Sequence, residues 1–73
     1  MKKIIFTEHA KDRLFGRKIS EDMVLSVIAA PDFIVARGDE SEAYKNIAGN
    51  LLKVVYTEKE RFIIINTILG EWR

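Results

Sequence analysis

Apolar positions in the first 31 residues recur at helical spacing and predict two short helices. Thr7 has the side chain of an N-cap, and Gly16 is expected to end or weaken the helix that follows it. Ser20 is the predicted N-cap of the second helix, which ends before Pro31 because the residue preceding a proline is pushed out of the α region. Two short helices with so short a connection are expected to form a helical hairpin.

After Pro31 the apolar pattern changes to the spacing of extended chain. Four strands are predicted, at residues 33–37, 43–48, 51–57 and 61–69. Residues 38–42 are expected to form an acidic turn, and Gly49-Asn50 a two-residue hairpin turn. Residues 4–6 are compatible either with a short strand or with an extended lead-in to the first helix.

These elements predict one α+β domain over residues 1–73, with the order ααββββ. Its two N-terminal helices are expected to pack on one face of a four-stranded antiparallel sheet. The fourth strand is apolar without alternation at residues 62–65, so both of its faces need cover. Either Ile63 and Ile65, or Ile64 and Ile68, are then available to a homodimer mate or another protein; the alternative is that the chain's own termini cover that face.

Composition narrows the class of protein. The chain has 73 residues, of which 48% are hydrophobic and 32% charged, as in a compact domain and unlike a disordered tail. Without cysteine, and with one histidine, neither a disulfide framework nor a metal site is expected, and no cofactor is indicated. No secretory signal or membrane-spanning run is recognisable, so a cytoplasmic location and no membrane association are expected.

Charge is unevenly distributed along the chain, although its net value is only +1. Residues 1–18 hold six basic and two acidic groups, residues 19–50 two basic and six acidic groups, and residues 51–73 four basic and three acidic groups. The positive first segment would suit a phosphate-bearing partner. Ordinary surface charge on a small domain accounts for the same asymmetry.

The best candidate for chemistry is a stripe of three residues on the first helix. His9, Arg13 and Arg17 follow one another at four-residue intervals, so they lie about 40° apart around the helix axis. Histidine is able to transfer protons near neutral pH, and arginine is able to hold a phosphodiester. The same spacing also fits a structural histidine on a solvated face, and arginines paired with Asp12, Glu21 or the acidic turn.

Four strand residues extend this candidate site if they share one side of the sheet with the helix. Lys53 and Arg61 would add positive charge, while Tyr44 and Tyr56 are able to stack on a base or donate a hydrogen bond to phosphate. Such groups suffice for RNA cleavage without metal, in which the 2′-hydroxyl is the nucleophile. The predicted catalytic residues are His9, Arg13, Arg17, Lys53 and Tyr56.

The segment Phe6-Thr7-Glu8-His9-Ala10, followed by Arg13, Arg17, Ile19-Ser20, Val24, Val27-Ile28 and Pro31, resembles a family of small uncharacterised bacterial and archaeal domains. The later stretches 51–56 and 62–67 look like the closing strands of that family. Its layout is similar to that of the RelE/ParE and BrnT toxins, within the barnase-like and RelE-like group of ribonuclease folds.

This resemblance implies an mRNA-cleaving toxin with an antitoxin partner, or a non-catalytic, ParE-like relative that binds another protein. The resemblance also adds Thr67 to the residues expected to bind substrate. The full predicted set is Arg13, Arg17, Arg61, Tyr44 and Thr67. The sequence ends at Gly70-Glu71-Trp72-Arg73, so the C-terminal catalytic tyrosine of RelE-type toxins is not expected.

Overall fold

The computed structural model describes residues 2–71 and contains two helices and five strands. In chain order the elements are β1 (Lys3–Phe6), α1 (Glu8–Arg17), α2 (Glu21–Ala29), β2 (Phe33–Arg37), β3 (Glu40–Ile47), β4 (Asn50–Glu58) and β5 (Phe62–Glu71). The predicted α+β class and the two N-terminal helices are confirmed. Neither α1, with 10 residues, nor α2, with 9, is long and apolar enough to cross a membrane, and they are the only helices in the described part of the chain.

The sheet is mixed and has the strand order β1-β5-β4-β3-β2. The prediction of four antiparallel strands is therefore wrong in one respect: residues 3–6 form a fifth strand, which pairs in parallel with β5 and sets Ile4 opposite Ile63. The other three pairs are antiparallel. A parallel partner requires a long connection, here residues 7–61, and a local sequence pattern does not reveal such a pairing.

Both helices begin at the residues that the sequence predicts. The hydroxyl oxygen of Thr7 accepts a hydrogen bond from the Ala10 N–H at 3.1 Å, and that of Ser20 accepts one from the Met23 N–H at 3.2 Å. The end of α1 differs from the prediction, because Gly16 stays helical and Lys18 caps the helix in the left-handed conformation, with φ of 54°. Capping of α1 by residue 18 keeps Arg17 on the last helical turn.

The core lies between the two helices and one face of the sheet. Its fully buried larger side chains come from α2, β4 and β5: Val24, Val27, Leu52, Val54, Ile65 and Ile68. Ala10 is the only residue of α1 that is fully buried among those described. The opposite face of the sheet, which no helix in residues 2–71 covers, is called the open face below.

An irregularity in β5 determines which isoleucines enter this core. Val55 pairs with Thr67 and Tyr56 pairs with Ile65, so Asn66 is an extra residue that lies opposite no residue of β4 in the strand register. This bulge places Ile65 and Ile68, three positions apart, on the same side of the sheet, and both are completely buried. The expectation that Ile64 and Ile68 share a face is wrong for this reason, because Ile64 lies opposite Thr57 on the open face.

Two turns also differ from prediction. The β3–β4 turn is Ala48-Gly49 instead of Gly49-Asn50, and both of its residues have positive φ, 53° and 86°. The expected acidic turn shrinks to two residues, and Glu42 belongs to β3. Because the turn is shorter than expected, Glu42 is a residue of the sheet, and it belongs to the open face.

Candidate functional site

The stripe His9, Arg13 and Arg17 forms one site on α1. These three residues, together with Asp12 and Gly16, line an open pocket of about 470 Å³. His9 is exposed, whereas Arg13 and Arg17 are half-buried. Helical spacing alone predicts this stripe, and its members do share a concavity.

Two contacts hold α1 along the edge of β5. At its start, the Thr7 N–H donates to the Ile65 carbonyl oxygen at 3.1 Å. At its end, Arg17 Nη1 donates to the Gly70 carbonyl oxygen at 3.2 Å. Since β1 pairs only with residues 62–65 of β5, α1 continues along the edge of β5 where β1 stops. The stripe is therefore fixed relative to the sheet at both ends of the helix.

Arg13 forms none of the ion pairs that the sequence allows for it. Within residues 2–71, it has no salt bridge to Asp12, Glu21 or the carboxylates of residues 39–42. The positive charge of Arg13 is accordingly not neutralised by any carboxylate in the described part of the chain. An exposed imidazole beside a guanidinium is a chemically competent arrangement for binding an anion and moving a proton to or from it.

Three of the strand residues predicted for the site lie on the open face. Cross-strand pairing arranges this face in rows, of which the two central ones are Val35–Glu42–Val55–Thr67 and Phe33–Tyr44–Lys53–Leu69. Tyr44, Lys53 and Thr67 are therefore neighbours across β3, β4 and β5. They do not line the pocket of the α1 stripe.

The other two predicted strand residues are elsewhere. Tyr56 faces the helices and is only 7% exposed, as part of the core, because it is one position away from the open-face residue Val55. Arg61 is exposed in the turn before β5 and does not line the α1 pocket. The structure thus brings together the helix residues and, separately, the residues of the open face.

Glu42 is a charged residue of the open face that sequence reasoning did not single out. It is only 7% exposed, and three donors surround its carboxylate: Arg37 Nε at 3.0 Å and the Tyr44 hydroxyl at 3.0 Å from Oε1, and Lys53 Nζ at 3.3 Å from Oε2. The hydrogen bond from Arg37 holds the pKa of Glu42 below its usual value, against the opposing effect of burial, and the bond to Glu42 raises the pKa of Arg37. A strand alternation that begins at Glu40 is the sequence signal that would place Glu42 in the sheet. The three acidic residues in 39–42 instead favour the interpretation of this stretch as a turn.

A second pocket lies beside this cluster. It has a volume of about 270 Å³ and is lined by Tyr44, Leu51, Lys53, Leu69 and Gly70. Gly70 therefore contributes to this pocket and accepts the hydrogen bond from Arg17. The two candidate areas, the α1 stripe and the open face, adjoin at this residue.

The side chains of residues 2–71 were also compared with the ligand sets that hold metal ions. No group of three or more histidine, cysteine, aspartate or glutamate side chains able to hold a metal ion occurs among residues 2–71. The carboxylate with the most polar contacts, Glu42, is occupied by three donors.

Comparison with known proteins identifies a family but no characterised relative. The sequence profile of DUF4258, a domain of unknown function, matches residues 6–69, which is most of the chain. No curated protein matches the sequence, and no solved structure matches it.

Proposed function

The chain belongs to the DUF4258 family, and we propose that it is a metal-independent endoribonuclease that cleaves RNA. One observation carries this proposal: His9 and Arg13 line the same open pocket, on a helix that is fastened to the sheet at both ends. The positive charge of residues 1–18 favours a polyanionic substrate. The layout expected from the sequence is similar to that of the RelE/ParE and BrnT toxins, which supports a toxin of a toxin–antitoxin pair as the biological setting.

In the proposed reaction, His9 removes the proton from the 2′-hydroxyl of a ribose held in the pocket. The 2′-oxygen attacks the adjacent phosphorus, the bond to the 5′-oxygen of the next nucleotide breaks, and that oxygen takes a proton from the imidazolium. The products are a 2′,3′-cyclic phosphate and a 5′-hydroxyl. Arg13 binds a non-bridging phosphate oxygen and stabilises the charge that increases there in the transition state.

The remaining predicted residues have different parts in this proposal. Arg17 positions the helix through its hydrogen bond to the Gly70 carbonyl oxygen. Lys53 lines the neighbouring pocket, where it is able to meet an adjacent nucleotide. Tyr56 is buried on the helix side and takes no part.

The experiment is cleavage of a mixed-sequence single-stranded RNA by the purified protein in the presence of a metal chelator. His9→Ala is expected to reduce the rate by at least about 100-fold, the usual size of a general acid–base contribution. Arg13→Met is expected to reduce it as well, whereas Lys11→Ala, which removes an exposed positive charge on another side of α1, should have little effect. Equal cleavage by wild type and His9→Ala, or no cleavage by folded wild-type protein, would overturn the catalytic proposal.

A second candidate function, binding of a partner protein, is favoured by an apolar groove between α2 and β1. Its pocket of about 430 Å³ is lined by Lys2, Ile4, Leu25, Ile28, Ala29 and Ile63. An adjoining pocket that shares Ile4 and Leu25 adds two lysines and one glutamate, Lys3, Lys11 and Glu21, so the added rim is net positive. An amphipathic helix with an apolar stripe and acidic flanks would fit both the groove and these lysines.

Two designed helical peptides with the same apolar stripe, one with acidic and one with basic flanks, test this second function by fluorescence anisotropy. The acidic peptide is expected to bind more tightly, and Leu25→Lys to abolish binding. Phe15→Lys is the control, because Phe15 is 91% exposed and lies outside the groove. Equal binding of both peptides, or a stable dimer in light scattering that Leu25→Lys dissociates, would rule out the acidic helix as the occupant.

A further inference from the structure

Two aromatic rings lie stacked on the open face of the sheet. The Phe33 and Tyr44 rings have centroids 4.5 Å apart and planes inclined by 13°. Phe33 is 52% exposed although it is large and apolar. Together the two side chains form a partly exposed aromatic surface on β2 and β3, of the kind on which a planar ligand is able to stack.

Glu42 fixes the polar groups around this surface. Its carboxylate is bound by Arg37, Tyr44 and Lys53, so the tyrosine ring is held by its hydroxyl and the lysine is held beside it. Lys53 Nζ lies 5.8 Å from the centroid of the Tyr44 ring, within the range of a cation–π contact. Because two cations share one carboxylate, the cluster keeps a net positive charge.

The open pocket beside Tyr44 has suitable walls for a nucleobase. Leu51 and Leu69 supply apolar contacts, Tyr44 supplies a ring, and Lys53 supplies a cation at the rim. Gly70 connects this pocket to the α1 stripe, because its carbonyl oxygen is bound by Arg17. A nucleotide in the pocket would thus be a near neighbour of a phosphate held by the stripe.

We propose that this pocket is a base-binding subsite for single-stranded RNA, in which one base packs against Tyr44 and its phosphate meets Lys53. The inference rests on the proposed function for the identity of the polymer. Single-stranded nucleic acid is bound in this way by proteins that combine aromatic side chains with a positively charged groove. The base is recognised by stacking, so discrimination between the four bases is weak.

The test uses His9→Ala protein, which keeps the RNA intact, and two fluorescein-labelled ten-nucleotide probes: oligouridine, and the same oligonucleotide with abasic residues at its central positions. Oligouridine is expected to bind about 10-fold more tightly than the abasic probe. Tyr44→Ala should weaken oligouridine binding about 10-fold and leave the abasic probe unchanged. Phe33→Ala removes the ring stacked on Tyr44, at a 52% exposed position, and should act in the same direction.

Phe62→Ala is the matched control, since Phe62 is a 40% exposed aromatic residue at the other end of β5 and does not line the pocket. Equal binding of the two probes, or equal effects of Tyr44→Ala and Phe62→Ala, would overturn the subsite. Base-dependent binding that is lost in Tyr44→Ala would support it even if the wild-type protein cleaves no RNA. In that case the catalytic proposal fails and the subsite stands.

Discussion

Thr7 is bonded to Ile65 at the point where β1 ends and α1 begins. The Thr7 N–H donates to the Ile65 carbonyl oxygen at 3.1 Å, and the Thr7 hydroxyl lies 3.0 Å from the same oxygen and 3.1 Å from the carbonyl oxygen of Asn66. The hydroxyl oxygen also accepts the N-cap hydrogen bond from Ala10. One side chain therefore starts the helix and attaches it to β5, two residues before His9.

Replacement of Thr7 by alanine is expected to lower the free energy of unfolding by about 1 to 2 kcal/mol, because the cap and the side-chain bond to β5 are lost together. Thr7→Ser, which keeps the hydroxyl, should retain most of the stability. Ser20→Ala removes an exposed cap without a strand contact and is expected to cost less, about 0.5 to 1 kcal/mol. Urea unfolding measures all three, and a Thr7→Ser variant as unstable as Thr7→Ala would contradict this account.

Glu42 predicts a particular dependence of stability on pH. Because its pKa is lowered in the folded protein, ionisation of Glu42 stabilises the fold above the ordinary glutamate pKa of about 4.3, and this contribution is lost as the pH falls below that value. The difference in stability between wild type and Glu42→Gln should therefore be largest near neutral pH and should shrink towards pH 3. Urea unfolding of both proteins at several pH values between 7 and 3 measures this difference.

Glu60→Gln is the control for this titration, since Glu60 is exposed in the turn between β4 and β5. Because Glu60 is exposed, its substitution should change the free energy of unfolding at pH 7 by less than about 0.5 kcal/mol. A Glu42→Gln variant whose stability differs from wild type by the same amount at pH 7 and pH 3 would show that the ion-pair cluster does not stabilise the fold.

The bulge at Asn66 predicts unequal effects of one substitution at two isoleucines. Ile68 is completely buried against the helices, so Ile68→Val should lower the free energy of unfolding by about 1 kcal/mol. Ile64 lies on the open face and is only partly buried, so Ile64→Val should cost less than about 0.5 kcal/mol. Equal losses in urea unfolding would mean that the register of β5 is different in solution.

Local signals account for the parts of the fold that the sequence predicts. Thr7, Ser20 and Pro31 act through their own backbone or their nearest neighbours, so the starts of both helices and the end of the second are predictable. Spacing along one helix likewise predicts that His9, Arg13 and Arg17 share a surface. The strand at residues 33–37 is predicted with its observed bounds.

Long-range relationships account for what the sequence does not predict. The parallel pairing of β1 joins residues about sixty positions apart, and the bulge at Asn66 depends on which side chains the core accepts. Tyr56 is a plausible site residue by its chemistry and its nearness to Lys53 in the same strand, yet an odd separation in a strand places the two on opposite faces. Glu42 lies in the acidic stretch 39–42, whose composition predicts a longer turn than the structure contains.

The turn Ala48-Gly49 offers a way to stabilise the protein without touching either candidate site. Ala48 has φ of 53°, a left-handed conformation that costs an alanine roughly 1 kcal/mol and that asparagine adopts more readily. Asn-Gly is also the preferred pair for a two-residue hairpin turn with two positive φ values. Ala48→Asn is therefore expected to raise the free energy of unfolding by about 0.5 to 1 kcal/mol, while Gly49→Ala, at φ of 86°, should lower it. Urea unfolding of both variants decides the matter, and destabilisation by Ala48→Asn would mean that the turn adopts another conformation.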